Sequence, residues 1–373
     1  MSSKQTTNSQ NQPPRPRNQL RLRILGLIVT LMFGVFVGVL VGEGLVRLAH
    51  PGFPGFRVPQ VEHRTVPGLG FEMVPNQVAY STASRVTINS AGFRGPEILP
   101  LASAGSPRVL CLGDSMTMGV SVEDDETYPA QIAQELRRRV PASRPEVINA
   151  GVQRYFTYQE IDLLKKHVND WRPHVVTLAV YINDLGVRPT TEIIREYENE
   201  REQAASAFRN RLPLVYLLIK NSALVEFLKN TYIAFEASGS ANNIVANALA
   251  GRIRDRDEPK WRGVELEFDT FAALARQHGF HPIILFVPTR KQVEGDFPQN
   301  LYPRRLLEYA RGLGLQAIDP TDRFKDALRT GNDPYLPWDD HMSVTGNRIV
   351  AEVLATEIER SDWAQRTGSE PDR

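Results

Sequence analysis

Apolar and polar residues follow three different rhythms along this chain. From Ile24 to Gly42 there is no charged residue at all. At about 1.5 Å per residue that stretch is long enough for a bilayer core of about 30 Å. A core helix of a soluble domain would carry a polar face, and this segment has none. From Phe71 to Arg94 the pattern shortens to strand-like pieces, notably Arg85-Val86-Thr87-Ile88, which runs into the turn composition Asn89-Ser90-Ala91-Gly92. From Arg108 onward short apolar runs alternate with amphipathic stretches. The runs Val109–Leu112, Val147–Ala150, Val175–Tyr181, Pro282–Val287 and Gln316–Ile318 predict strands. Helical periodicity marks Tyr128–Arg139, Thr157–Asn169, Val264–His278, Arg304–Gly312 and Ser343–Ile358. Near-continuous apolar strands separated by helices predict an α/β fold with a parallel sheet covered on both faces.

These rhythms divide the 373 residues into a disordered basic tail (1–23), a transmembrane helix (24–44), a linker with a β-rich lead-in (45–100), a main domain (101–360) and a flexible tail (361–373). A long insertion, about 190–260, follows the third strand of the main domain. Its first half, Thr191 to Ala207, is charged and helical, and Leu212 to Phe235 is apolar at helical spacing. Such an insertion suits a lid, an extra helical layer, or a face resting on the bilayer.

Charge alters the picture only locally. The chain has 44 basic and 43 acidic residues, which gives no nucleic-acid signature. Lys4, Arg15, Arg17, Arg21 and Arg23 all precede the apolar stretch, so the positive-inside rule predicts a cytoplasmic N-terminus with everything after Glu43 outside, in a periplasm or beyond the cell. No Ala-x-Ala site follows, which favours an anchor over a cleaved signal peptide. Gly34, Gly38 and Gly42 share one helix face and suit a homodimer contact, though glycine is also simply common in membrane helices. Cys111 is the only cysteine, so no intrachain disulfide is available. Neither a cysteine zinc site nor a phosphate-cradling loop is present, and the pattern calls for no metal or cofactor.

Candidate chemistry sits where strands end. Gly113-Asp114-Ser115 closes the first strand of the main domain, Asn149-Ala150-Gly151 the second and Asn183-Asp184 the third, while Asp339-Asp340-His341 precedes the last helix. In a doubly wound sheet these carboxyl ends converge on one edge. A serine becomes nucleophilic when an imidazole takes its proton, the imidazole needs a carboxylate to orient it, and the tetrahedral oxyanion needs preorganised donors. Glycine at 151 would also leave room for substrate to approach its amide. Arg94 and Arg154 could hold an anionic substrate group, against a structural or solvated role for each.

The four blocks, in this order over about Arg108 to Arg360, resemble the SGNH (GDSL-type) hydrolase superfamily. That resemblance implies a flavodoxin-like three-layer α/β/α sandwich and serine esterase or acyl-transfer chemistry. It makes Ser115 the nucleophile and His341 the base. The amides of Ser115 and Gly151, with the Asn183 side chain, would form the oxyanion hole. The segment Asn89–Arg94 and the anchor are similar to those of membrane-tethered bacterial members. Three positions depart from the family pattern. Trp338 stands where the orienting Asp commonly lies, so Asp339, at the spacing of the alginate O-acetyltransferase-like branch, is assigned that task over Asp340. Tyr181 replaces a glycine and would narrow the pocket, and Met116 replaces a leucine.

The expected function is a membrane-anchored extracytoplasmic esterase that deacylates glycans, most plausibly acetylated ones of the envelope or an exopolysaccharide. A glycan O-acyltransferase with the same triad and a catalytically idle glycan-binding scaffold are the alternatives.

Overall fold

The computed structural model describes residues 17–49, 57, 59–103, 106–185, 211–225, 227, 228 and 244–361. The chain forms two compact units, Met1–Pro51 and Gly52–Arg373. The first is built on one helix, α1 (Arg17–Ala49). Its apolar window is entirely unburied, and its length and composition suit a membrane span or a signal sequence. The helix is longer than the apolar run. Residues 17–23 are helical rather than a disordered tail, and residues 45–49 are helical rather than linker. Charge sets the border of an apolar stretch, but it does not stop helix propagation through good helix formers such as Arg and Leu. Pro51 lies just beyond the end, and a residue before proline is pushed away from helical geometry.

The second unit opens with two antiparallel hairpins, β1 (His63–Val66) with β2 (Gly70–Met73) and β3 (Gln77–Ser81) with β4 (Ser84–Ile88). After β4 the backbone of Arg94 bridges Ile88 on one side and Asn149 on the other, which attaches this lead-in to the edge of the main sheet.

That sheet has five strands, β5 (Arg108–Gly113), β6 (Glu146–Gly151), β7 (Val175–Val180), β8 (His281–Phe286) and β9 (Gln316–Ile318). Every pairing is parallel, in the spatial order β6-β5-β7-β8-β9. This is the flavodoxin-like order, in which connections leave the first strand in opposite directions and open a crevice between the first and third. Helices α2 (Ser115–Met118), α3 (Tyr128–Arg139) and α4 (Thr157–Trp171) follow in the chain. Alternation along β5 shows the layering. Leu110 and Leu112 pack with Ile161, Leu164 and Val168 of α4 and with Trp261, Phe268 and Phe271 of the Glu258–His278 helix. Val109 and Cys111 face Ile132 and Leu136 of α3 and Val350 and Leu354 of the last helix, Val344–Arg360. The Cys111 thiol is pushed up to about 12 by burial, so it acts as a small apolar side chain.

Strand and helix positions follow the hydrophobic pattern closely, apart from some helices. The Glu258–His278 helix starts six residues before the apolar period, because Glu258, Pro259 and Lys260 are exposed or half-exposed first-turn residues. A further helix, Thr321–Arg329, carries only the short apolar stripe Phe324, Ala327 and Leu328, of which Phe324 alone is fully buried. In the insertion, Pro213–Lys220 is a helix with exposed Leu214 and Leu218. The charged segment 191–207 lies outside the described residues, as do residues 1–16 and 362–373.

Candidate active site

The end of β5 builds the centre of the site. Strand geometry stops at Gly113, and Asp114 caps α2 by accepting the Met116 N–H at 2.8 Å. Ser115 is therefore the first residue of that helix, held at the carboxyl edge of the sheet. The short helix ends at Gly119, whose φ of 82° is the left-handed region that glycine adopts without strain.

Ser115 Oγ lies 2.9 Å from His341 Nε2. Asp114 Oδ2 is a more distant acceptor for the same hydroxyl, at 3.3 Å. Behind the imidazole, Asp339 Oδ2 is 2.8 Å from Nδ1, within ion-pair distance although not aligned as a hydrogen bond. The other Asp339 oxygen accepts the backbone N–H of His341 at 3.3 Å. Asp340 turns the opposite way, with its carboxylate 3.5 Å from Arg290. Arg290 also pairs with Asp333, donates to the Leu336 carbonyl and lies over the Tyr335 ring, so one guanidinium ties together the loop that carries His341. Ser343 caps the last helix by accepting the Gly346 N–H, which leaves His341 without a capping task.

The donors expected for an oxyanion surround Ser115 with different commitments. The Ser115 amide meets no acceptor among the described residues. Asn183, on the turn Ile182–Asp184 after β7, directs Nδ2 to Asp114 Oδ2 at 3.0 Å, and one of its two amide protons stays free for a ligand. The Gly151 amide already donates to Asn149 Oδ1 at 3.1 Å. Space, rather than substrate access, explains glycine at 151. A β-carbon there would stand 2.2 Å from Met118 N and 2.6 Å from Thr117 C, inside the backbone of α2.

Of the two arginines, Arg94 is buried and committed. It donates to the carbonyls of Arg85, Met118, Gly119 and Val122 and pairs with Asp124 at 2.8 Å. It thus clamps the loop that follows α2 and is not presented to a substrate. Burial lowers its pKa, and Asp124 opposes that effect. Arg154 lies over the Phe71 ring, 5.4 Å from its centre. No group of three or more His, Cys, Asp and Glu suited to a metal occurs among the described residues. The pattern-based reading missed the hub role of Asp114 and the clamp made by Arg94. The position of Arg94 just after a turn was a usable signal only for the family segment, because its carbonyl partners are remote in sequence.

Burial, the largest single influence on His341, pulls its pKa down. The close approach and charge of Asp339, with Asp114 and Asp340 behind, outweigh that and leave it above the ordinary 6.5. For Asp339, burial acts upward and His341 acts downward, and the net is a lowered pKa. A protonated imidazole cannot accept the serine proton. We expect kcat/KM to fall with a slope of one as pH drops, through an inflection above 6.5. For folding, a raised histidine pKa contributes stability that is full below the unfolded value and lost as pH rises through the folded value. A pH–rate profile checks the first statement. A flat rate from about pH 5 to about pH 8 would exclude a histidine base.

Residues 111–349 match the family model for the GDSL-like lipase/acylhydrolase family. No curated protein matches the chain. Solved structures similar to it include an α/β hydrolase enzyme from the metagenome of Lake Arreo, Spain, at 15% identity over 69% of this chain and 98% of that one, with a TM-score of 0.40. An acetyl xylan esterase is 17% identical over 67% and 99% of the two chains, TM-score 0.40. An acetylxylan esterase from Geobacillus stearothermophilus is 16% identical over 69% and 96%, TM-score 0.39.

Proposed function

Because the chain belongs to the GDSL-like lipase/acylhydrolase family and is a serine ester hydrolase, we propose that Ser115, His341 and Asp339 form its triad and that it removes small acyl groups, acetyl above all, from glycans outside the cytoplasmic membrane. The observation that carries this reading is the continuous line from Ser115 Oγ through the two ring nitrogens to Asp339, with steps of 2.9 and 2.8 Å. His341 Nε2 takes the hydroxyl proton as Oγ attacks the ester carbonyl carbon. Asp339 holds the opposite nitrogen and the imidazolium that forms. The carbonyl π electrons move onto oxygen, which is held by the Ser115 amide, the free Asn183 proton and the Gly151 amide as it exchanges Asn149 for the oxyanion. Collapse expels the sugar alkoxide, which takes the proton from His341. Water then repeats the sequence on the acyl-serine and releases the acid.

Acetyl size is supported by Tyr181, a large side chain at the end of β7 whose charge environment includes Asp114, Asp339 and Asp340. The extracytoplasmic location is supported by α1, with Arg17, Arg21 and Arg23 at its start and an uncharged run after them. In that setting α1 anchors the enzyme, and its face of Gly34, Gly38 and Gly42 suits pairing with a second copy.

The test uses the full-length protein in detergent with acetate, butyrate and octanoate esters of one chromogenic alcohol, followed by acetylated polysaccharides. Acetate should be the fastest ester by about tenfold or more over octanoate, and acetate should be released from at least one acetylated glycan. An octanoate rate equal to the acetate rate would defeat the acyl-size proposal. Acetate that appears on added sugar hydroxyls rather than in water would reassign the enzyme as a transferase.

A further inference from the structure

Beneath the Asn183 turn lies a group of buried carboxyls that ester hydrolysis does not use. Glu160 of α4 is 0% exposed, and neither of its carboxyl oxygens has a hydrogen-bond partner among the described residues. Asp184 is 1% exposed. Its Oδ2 accepts the Tyr181 N–H at 2.6 Å, and its Oδ1 has no partner among the described residues. Asp114, also 1% exposed, accepts hydrogen bonds from the Met116 N–H and from Asn183 Nδ2, with the Ser115 hydroxyl close by. No cation acts on Glu160 among the described residues. Tyr128 and Tyr155 are the other titratable groups that sense its charge.

An ionised Glu160 here would be a buried charge with neither donor nor counter-ion, which proteins do not tolerate without compensation. Burial first, and then the charge of Asp114, push its pKa well above the carboxylate range. Asp184 is pushed the same way by burial, Asp114 and Glu160, but its backbone donor acts in the opposite direction. The hydrogen bonds therefore decide where a proton rests. Asp184 has an N–H to stabilise its charge, and Glu160 has none.

We propose that Glu160 stands as a neutral carboxylic acid that donates its proton to Asp184 Oδ1, and that it thereby acts as a positioning residue for Asn183. One proton satisfies Asp184 Oδ1 and one of the two orphaned oxygens of Glu160. Asp184, fixed through one oxygen to Tyr181 and through the other to Glu160, then locks the three-residue turn on which Asn183 sits. A neutral Glu160 also keeps another negative charge away from the forming oxyanion. The positioning role rests on Asn183 being an oxyanion donor; the protonation of Glu160 does not.

Two measurements on the full-length protein test this. The infrared spectrum of the wild type at neutral pH should contain a protonated-carboxyl C=O band that is missing from Glu160→Gln. For hydrolysis of p-nitrophenyl acetate, Glu160→Gln, which keeps a neutral donor of the same shape, should hold kcat near the wild-type value. Glu160→Met, of similar length without a donor, should lower kcat about tenfold or more with KM unchanged. Absence of the band in the wild type overturns the neutral acid, whatever the activity. With the band present, a Gln variant that loses kcat, or a Met variant that keeps it, overturns the positioning role. If Glu160→Met does not fold, the band and the Gln variant still decide. If the protein hydrolyses no ester at all, the infrared result stands by itself, so failure of the functional proposal is told apart from failure of this one.

Discussion

Ser115→Ala is expected to abolish covalent labelling by a fluorophosphonate and to lower kcat for ester hydrolysis by a factor on the order of 10⁴ to 10⁶. The size of the effect follows from the proposed activation of this hydroxyl by His341, whose Nε2 lies 2.9 Å away. Without Oγ there is no atom for the imidazole to deprotonate, and without the imidazole the alcohol stays a weak nucleophile. His341→Ala should therefore fall as far as Ser115→Ala, and the double variant no further, because the two act as one unit. Asp339→Asn should retain more activity than either and still lose far more than Asp340→Asn, since Asp340 is turned toward Arg290. Kinetics of the purified variants, with circular dichroism as a check on folding, decide the matter. Full labelling of Ser115→Ala would place the nucleophile elsewhere, and a larger loss in Asp340→Asn would reassign the orienting acid.

Gly151→Ala is expected to damage the enzyme less severely but still strongly, by a different route. Its new β-carbon would meet backbone atoms of Thr117 and Met118 at 2.2 to 2.8 Å, where no side-chain rotation can relieve the clash. Either β6 or α2 must shift, and α2 carries Ser115 as its first residue. Overpacking of this kind costs about 1 to 3 kcal/mol of stability. A displacement of about 1 Å between nucleophile and base costs on the order of a hundredfold in rate. Thermal melting and the rate of fluorophosphonate labelling should both fall in this variant. An unchanged melting temperature together with wild-type labelling would mean that β6 and α2 do not approach so closely. Loss of oxyanion donation alone predicts a different outcome, because alanine keeps the amide.

Some of what governs this site is local, and so is legible in order along the chain. Val109–Leu112 stops at glycine and is followed by a capping Asp and a serine, and those few residues suffice to end a strand and start a helix with a hydroxyl at the turn. The Glu160 signal was also present in the pattern. It falls on the inward stripe of α4 with Thr157, Leu164, Val168 and Trp171, where an acid is out of place. Its meaning required knowing that Asp184 and Asp114 share its surroundings, and neither adjoins it in sequence.

By itself, then, the sequence determined the uncharged stretch Ile24–Gly42, the strand–helix alternation, the three blocks that end strands and the fourth before the last helix. Each of these rests on periodicity or on contacts within a few residues. Only the tertiary structure decided that Asp340 faces Arg290 while Asp339 faces His341, that Arg94 clamps backbone carbonyls, and that the amide of Gly151 is already engaged by Asn149. The physical reason is common to all of them. A side chain's direction and the partners of a buried polar group are fixed by which distant segments pack against it, and packing is a property of the folded whole.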